Sequence, residues 1–139
     1  MIVNLKRVND KFGFEATNEG GFSFNMDAKS AIGGGEQGFR PMELLLIGLG
    51  GCSAIDILNI LYKQKQEVKD FEIEISGDRE EGKHPSLFTN IVVLVKVNGR
   101  ISEDKLQRAI DLTRDKYCPV YHHLSKTIEI TYKYSIEDE

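Results

Sequence analysis

Two cysteines and three histidines carry most of the chemistry open to this 139-residue sequence. Cys52 stands in Gly50-Gly51-Cys52-Ser53 and Cys118 in Tyr117-Cys118-Pro119-Val120. Their spacing does not bring them together; only the fold can. A free cysteine often serves as a small buried hydrophobe, and that reading is open for each alone. A chemical role needs the thiolate, held by a cation or a helix N-terminus. Peroxide chemistry adds a second demand, because the sulfenic acid must be trapped by another thiol before it oxidises further. One cysteine beside glycines and one at a helix break suit attacking and resolving roles. Zinc is the other use for cysteines beside His84, His122 and His123. Zinc sites favour ligand pairs at short, regular spacing, and none occurs here. Cys118 and His122 stand at i+4, but Pro119 disturbs any helix between them. The sequence therefore predicts no metal and no cofactor.

The elements that must position these residues follow from periodicity. Phe12, Phe14 and Ala16 alternate with polar residues, as do Phe22, Phe24 and Met26, around the turn residues Asn18-Glu19-Gly20-Gly21. This predicts a β-hairpin, preceded by a strand carrying Val3 and Leu5. Residues 29–38 hold several glycines without periodicity and predict a mobile loop. Pro41 opens a helix over 41–64 that is apolar nearly all round, with Glu43 in its first turn complementing the dipole. Such a helix is buried on most sides. Gly48, Gly50 and Gly51 within it each cost about 1 kcal/mol relative to alanine, which suggests close approach by another backbone or a ligand. Phe71, Ile73 and Ile75 predict a half-exposed strand. Leu87 to Val97 predicts a second strand, covered on both faces over Ile91–Val95 and closed by Asn98-Gly99. Ser102 starts a helix whose buried stripe is Leu106, Ala109, Ile110 and Thr113. Ile128 to Ile136 alternates as a last strand. The order β-β-β-α-β-β-α-β, with its hairpins, argues for antiparallel sheet in a single α+β domain over 1–139. The helix at 41–64 is too apolar for a monomer of this size and predicts an intertwined dimer.

Composition narrows the function. Apolar residues make up 40%, charged residues 29%, and the net charge is −4. A nucleic-acid partner is not expected from that balance. The longest apolar stretch, Leu44–Ile55, is broken by glycines and followed by Asp56, so no membrane insertion is expected. No secretory pattern is read at the start, and a cytoplasmic setting is expected. Two cysteines do not make a disulfide scaffold.

Three segments resemble the OsmC/Ohr proteins, the osmotically inducible and organic hydroperoxide resistance family. They are Arg40-Pro41-Met42-Glu43-Leu44, Gly50-Gly51-Cys52-Ser53-Ala54-Ile55-Asp56 and Lys116-Tyr117-Cys118-Pro119-Val120. His84-Pro85-Ser86-Leu87-Phe88-Thr89 resembles the YhfA-like branch. The resemblance implies an intertwined homodimer, with antiparallel sheets wrapped around two central helices. It implies that Cys52 attacks an organic or lipid hydroperoxide and that Cys118 resolves the sulfenate as a disulfide. A dithiol or lipoyl-type reductant would then restore the thiols. The alternative on the same fold is a non-peroxidatic module that binds an apolar ligand such as a fatty acid.

The match departs from the peroxidatic branches at the thiolate-holding Arg–Glu pair. There, glutamate directly follows the proline. Here Met42 does, and Glu43 comes one residue, about 100° of helix, later. The turn between the first strands, Val8 to Phe12, holds Lys11 and no arginine, and lysine lacks the planar fork that grips a carboxylate. The expected replacement is Arg40 with Glu43, although Cys52 lies roughly 15–18 Å further along the helix. A flexible side chain or a second subunit is then required. Asp56 shares the Cys52 face at i+4. Unpaired, it would raise the thiol pKa; Arg79 is a conceivable partner, with a solvated charge in a turn the simpler reading.

Overall fold

In the computed structural model, which describes residues 1–137, the alternating N-terminal segment forms β1 (Val3–Arg7), β2 (Phe14–Asn18) and β3 (Ser23–Met26). They make one antiparallel sheet of order β1-β2-β3, with Phe14 opposite Met26 and Ala16 opposite Phe24. The β2–β3 turn is held by Asn18, whose side-chain oxygen accepts the Phe22 N–H at 3.0 Å. This sheet buries little by itself. Ala16 is buried, but Val3, Leu5, Phe22 and Phe24 all stay exposed.

The glycine-rich segment after β3, expected as a mobile loop, carries internal hydrogen bonds and a short helical turn. Asp27 is buried and accepts the backbone N–H groups of Ala28 at 2.7 Å and Gln37 at 3.1 Å. These bonds hold its carboxyl below the usual carboxylate range. A short 3-10 turn covers Ser30–Ile32. Gly34 lets the chain close on itself, since a Cβ there would sit 2.0 Å from the Ala28 carbonyl oxygen.

The chain divides into two compact units within the long helix α1 (Pro41–Lys63), one comprising residues 1–45 and the other beginning at Leu46. Arg40 caps this helix. Its N–H donates to Glu43 Oε1 at 2.8 Å, and its guanidinium Nε lies 3.6 Å from the same oxygen. This is the reciprocal half of a capping box, with glutamate at the third helical position. Glu43 thus does more than complement the dipole.

The second unit carries β4 (Glu67–Arg79), β5 (Phe88–Arg100), α2 (Glu103–Leu112), α3 (Pro119–Leu124) and β6 (Glu129–Glu137). Its sheet has the order β4-β5-β6. β4 pairs antiparallel with β5, but β5 and β6 run parallel. The expectation of antiparallel sheet throughout is corrected here. Residues 101–128 form a crossover that carries the chain from the Arg100 end of β5 back to its Asn90 end, where Glu129 starts β6 alongside, so the two strands run parallel.

Asn98-Gly99 does not end β5, as the sequence suggested. The strand runs on to Arg100, opposite a bulge between Val68 and Asp70. Gly99 adopts φ +138°, and a Cβ there would lie 2.1 Å from the Glu67 carbonyl oxygen. Nor is β5 covered equally on both faces. Ile91, Val93, Val95 and Val97 are buried, while Val92 and Leu94 are half-buried. Leu49, Ile57 and Leu61 of α1 and Leu106, Ala109 and Ile110 of α2 are buried as well. The expected α2 stripe, Thr113 included, is buried throughout.

α1 is the one helix among the described residues long and apolar enough to cross a membrane, with a mean hydropathy of 2.0 over its best window. Its length exceeds the apolar run read from the sequence because the helix continues past Asp56. It is not buried on most sides within one chain. Ile47, Ile55 and Tyr62 are 45%, 70% and 61% exposed. At 3.6 residues per turn they share one face with Gly51 and Leu58.

Candidate active site

The second unit brings Cys52 and Cys118 together. α1 supplies Cys52, and one turn later Asp56, on the flank between its buried and exposed faces. Cys118 comes from the crossover. There, α2 passes into a π-helical turn over Thr113–Tyr117, and the Cys118 N–H bonds to the Thr113 carbonyl at 2.9 Å. Pro119 cannot continue that hydrogen-bond pattern and instead starts α3, which makes Cys118 its N-cap. The break at Cys118-Pro119 was expected; the short helix that follows it was not.

Cys118 is fully buried and Cys52 half-buried. The two sulfur atoms and a carboxylate oxygen of Asp56 all lie within 4.8 Å of one another. Cys118 Sγ accepts the Tyr121 backbone N–H at 3.3 Å. Behind it, the Ser53 hydroxyl lies 4.0 Å from Cys118 Sγ and 2.7 Å from the Tyr132 hydroxyl. The Tyr132 ring packs against Tyr121 at 6.0 Å between centroids. Ser53, Tyr121 and Tyr132 were not singled out from the sequence. A lone serine in an apolar helix was the available signal for the first; a strand's alternation says nothing about the hydroxyl at Tyr132.

Electrostatics oppose an easy thiolate within one chain. Burial, then a hydrogen bond with Cys118, push the Cys52 thiol up to about 11, and Asp56 adds to the rise. The Val120 backbone N–H acts the other way. None of these influences is a cation. Burial also raises Asp56, whose Oδ2 is enclosed without a hydrogen-bond partner. It raises the Tyr132 phenol as well. Arg79 does not serve Asp56; its Nε donates to the Ser86 carbonyl in the β4–β5 turn.

Asp56 also lines a cavity of about 240 Å³ with Asn59, Ile60, Lys63, Leu112 and Tyr117. Its wall mixes polar and apolar side chains. Arg40 and Glu43 form the α1 cap in the first unit, with half-exposed side chains. His122 stacks edge-on against Tyr121 at 5.5 Å.

Known proteins share this fold. A family model described as OsmC-like protein matches residues 33–133. Protein YhfA of Escherichia coli K12 is 40% identical over 117 residues, covering 84% of each chain. A crystal structure of a hypothetical protein from Aquifex aeolicus superposes with a TM-score of 0.86 at 31% identity, covering 99% of this chain and 96% of that one. An organic hydroperoxide resistance protein of Legionella pneumophila shares the fold, with a TM-score of 0.72 at 12% identity and 97% coverage of both chains. With most of its length matched by the family model and a relative at 40% identity, the chain belongs to the OsmC-like family.

Proposed function

We propose that this protein is a thiol peroxidase for organic hydroperoxides, with Cys52 attacking and Cys118 resolving. The observation that carries the proposal is the meeting of two free thiols, remote in sequence, at one half-buried site. In the first step the Cys52 thiolate attacks the distal peroxide oxygen. The O–O bond breaks, Cys52 becomes a sulfenic acid, and the departing alkoxide takes up a proton as the alcohol. In the second step Cys118 attacks the sulfenic sulfur, a disulfide forms and water leaves. A dithiol or lipoyl-type reductant returns both thiols. The working form requires reduced cysteines, which fits a cytoplasmic setting.

A thiol at about 11 needs help to ionise near neutral pH. We assign that help to Arg40, oriented by Glu43 and delivered across a homodimer interface. The dimer reading is supported by what one chain leaves bare: the apolar α1 face around Ile55, and Val3, Leu5 and Phe22 on the N-terminal sheet. An exposed apolar surface of this kind marks an association face. In this reading residues 1–139 act as a single domain completed by a second copy.

The alternative, a module holding an apolar ligand without peroxidase chemistry, is favoured by the raised Cys52 thiol. Against it stands the cavity beside Asp56. At about 240 Å³ it falls below the roughly 300–1,000 Å³ of ordinary ligand pockets.

The test follows both thiols of reduced protein after one equivalent of cumene hydroperoxide or hydrogen peroxide. The expected result is rapid loss of both thiols to one disulfide, faster with the organic peroxide. Oxidation no faster than that of a free thiol overturns the proposal. In Arg40→Ala the Cys52 thiol is expected to titrate higher, towards about 11. An unchanged titration removes Arg40 from the site.

A further inference from the structure

We infer that the reduced protein has a binding site for a thiophilic divalent cation of the zinc class, formed by Cys52 Sγ, Cys118 Sγ and a carboxylate oxygen of Asp56. The inference stands on the cluster's geometry and does not depend on the peroxidase reading. Metal was set aside on sequence because no Cys or His pair stands at a regular zinc-site spacing and Pro119 disturbs the helix between Cys118 and His122. That argument considers local pairs only. The fold adds Cys118 to a pair already aligned on one helix face, Cys52 and Asp56 at i+4.

Three observations support the site. The three ligand atoms lie within 4.8 Å of one another. Zinc bonds of about 2.3 Å to sulfur and 2.0–2.2 Å to oxygen place such atoms roughly 3.5–3.8 Å apart, so closure needs about an ångström of side-chain movement. Second, Asp56 Oδ2 is enclosed and makes no hydrogen bond. An orphaned buried carboxylate oxygen calls for a partner, and a cation provides one. Third, the surroundings suit a bound thiolate. The Tyr121 N–H points at Cys118 Sγ, as outer hydrogen bonds do around metal-bound sulfur. Asp56 also lines the cavity of about 240 Å³.

The ligand set selects the ion. Two sulfurs favour zinc, cadmium or cobalt(II) over magnesium or calcium, which take oxygen ligands. Binding forms two metal–sulfur bonds and one metal–oxygen bond, and the two thiol protons leave to solvent. Three protein ligands leave a fourth position for water, the arrangement of an exchangeable site rather than a closed structural one. Occupancy and disulfide formation exclude each other, because both use the same sulfur electron pairs.

The experiment titrates cobalt(II) into the reduced, peroxide-free protein and reads the sulfur-to-cobalt charge-transfer band, followed by displacement with zinc. The expected result is one cobalt ion per chain, displaced by zinc and absent after oxidation to the disulfide. Cys52→Ser and Cys118→Ser should each remove about half the band, and Asp56→Asn should keep it while weakening binding at least tenfold. Circular dichroism of each variant without metal separates loss of a ligand from loss of fold. No charge-transfer band in the reduced protein overturns the inference. So does a band that survives Cys118→Ser undiminished, or unchanged affinity in a folded Asp56→Asn. None of these results bears on whether peroxide oxidises the thiols.

Discussion

Tyr132→Phe removes one oxygen atom and tests how Cys118 is supported from behind. The Tyr132 hydroxyl lies 2.7 Å from Ser53 Oγ, and Ser53 is fully buried. Its other polar contact is the long approach of 4.0 Å to Cys118 Sγ. Without the phenol, the serine hydroxyl stays enclosed with no adequate partner, at a cost of about 1–3 kcal/mol. Ser53→Ala is the gentler change. It removes the fully buried hydroxyl altogether and leaves only the phenol of Tyr132, on a half-buried residue where Ser53 is fully buried, without its partner. The double variant lacks both groups and should be close to Ser53→Ala alone. The expected pattern is therefore asymmetric, with Tyr132→Phe the least stable of the three and a coupling of about 1 kcal/mol or more. For a chain of 139 residues, an unfolding entropy of roughly 2.1 cal/mol/K per residue makes each kcal/mol worth about 3–4 °C in midpoint. The assay is urea and thermal unfolding of reduced protein at one fixed concentration, since association would shift the midpoint. Additive effects of the two single variants, or a Tyr132→Phe milder than Ser53→Ala, would refute the reasoning.

Three further outcomes follow from other parts of the molecule. Gly99→Ala should lose about 2 kcal/mol or more of stability in denaturant unfolding, because its Cβ would sit 2.1 Å from the Glu67 carbonyl oxygen in a left-handed backbone. The lowered carboxyl of Asp27 contributes stability above the ordinary carboxylate pKa of 3.8, and that contribution disappears as pH falls below it through the folded value. Acid unfolding of Asp27→Asn should consequently be flatter in that window, with faster hydrogen exchange at Gln37 N–H at neutral pH. Ile55→Asp alters a side chain 70% exposed in the single chain, so it should leave the fold intact and convert a dimer to monomer by light scattering; a species of unchanged mass would locate the association face elsewhere.

Much of the fold was legible because its cues are local. The N-terminal strands, the α2 stripe and β6 follow from alternation and helical spacing. The parallel pairing of β5 with β6 was not legible, since the order of elements does not say from which end the last strand returns. The extension of β5 through Gly99 escaped for a similar reason: Asn-Gly is a turn signal until a bulge on the neighbouring strand makes room for it. At the site, the two cysteines stood out by type and flanking residues. Asp56 was placed on the right helix face, but the enclosure of one of its oxygen atoms was not legible, because it depends on residues far away in sequence. Tyr132 gave no cue at all. Its strand register is readable, but its neighbour Ser53 lies on a helix before the sheet begins.

The crossover that makes β5 and β6 parallel also bears on the order in which this chain can fold. β4 and β5 are joined by the short loop of residues 80–87 and need little loop closure to pair. β6 cannot join them until residues 101–128 have been gathered over the sheet, and such distant pairings form late because their entropic cost precedes their reward. Cys118 lies in that crossover, whereas Cys52 lies on the helix preceding β4. During synthesis Cys52 emerges and takes up its helix while its partner thiol is still unmade or undocked. On the peroxidase reading proposed above, the newborn chain thus passes through an interval in which Cys52 lacks the thiol assigned to resolve it, and a sulfenic acid formed then has no neighbouring thiol to trap it.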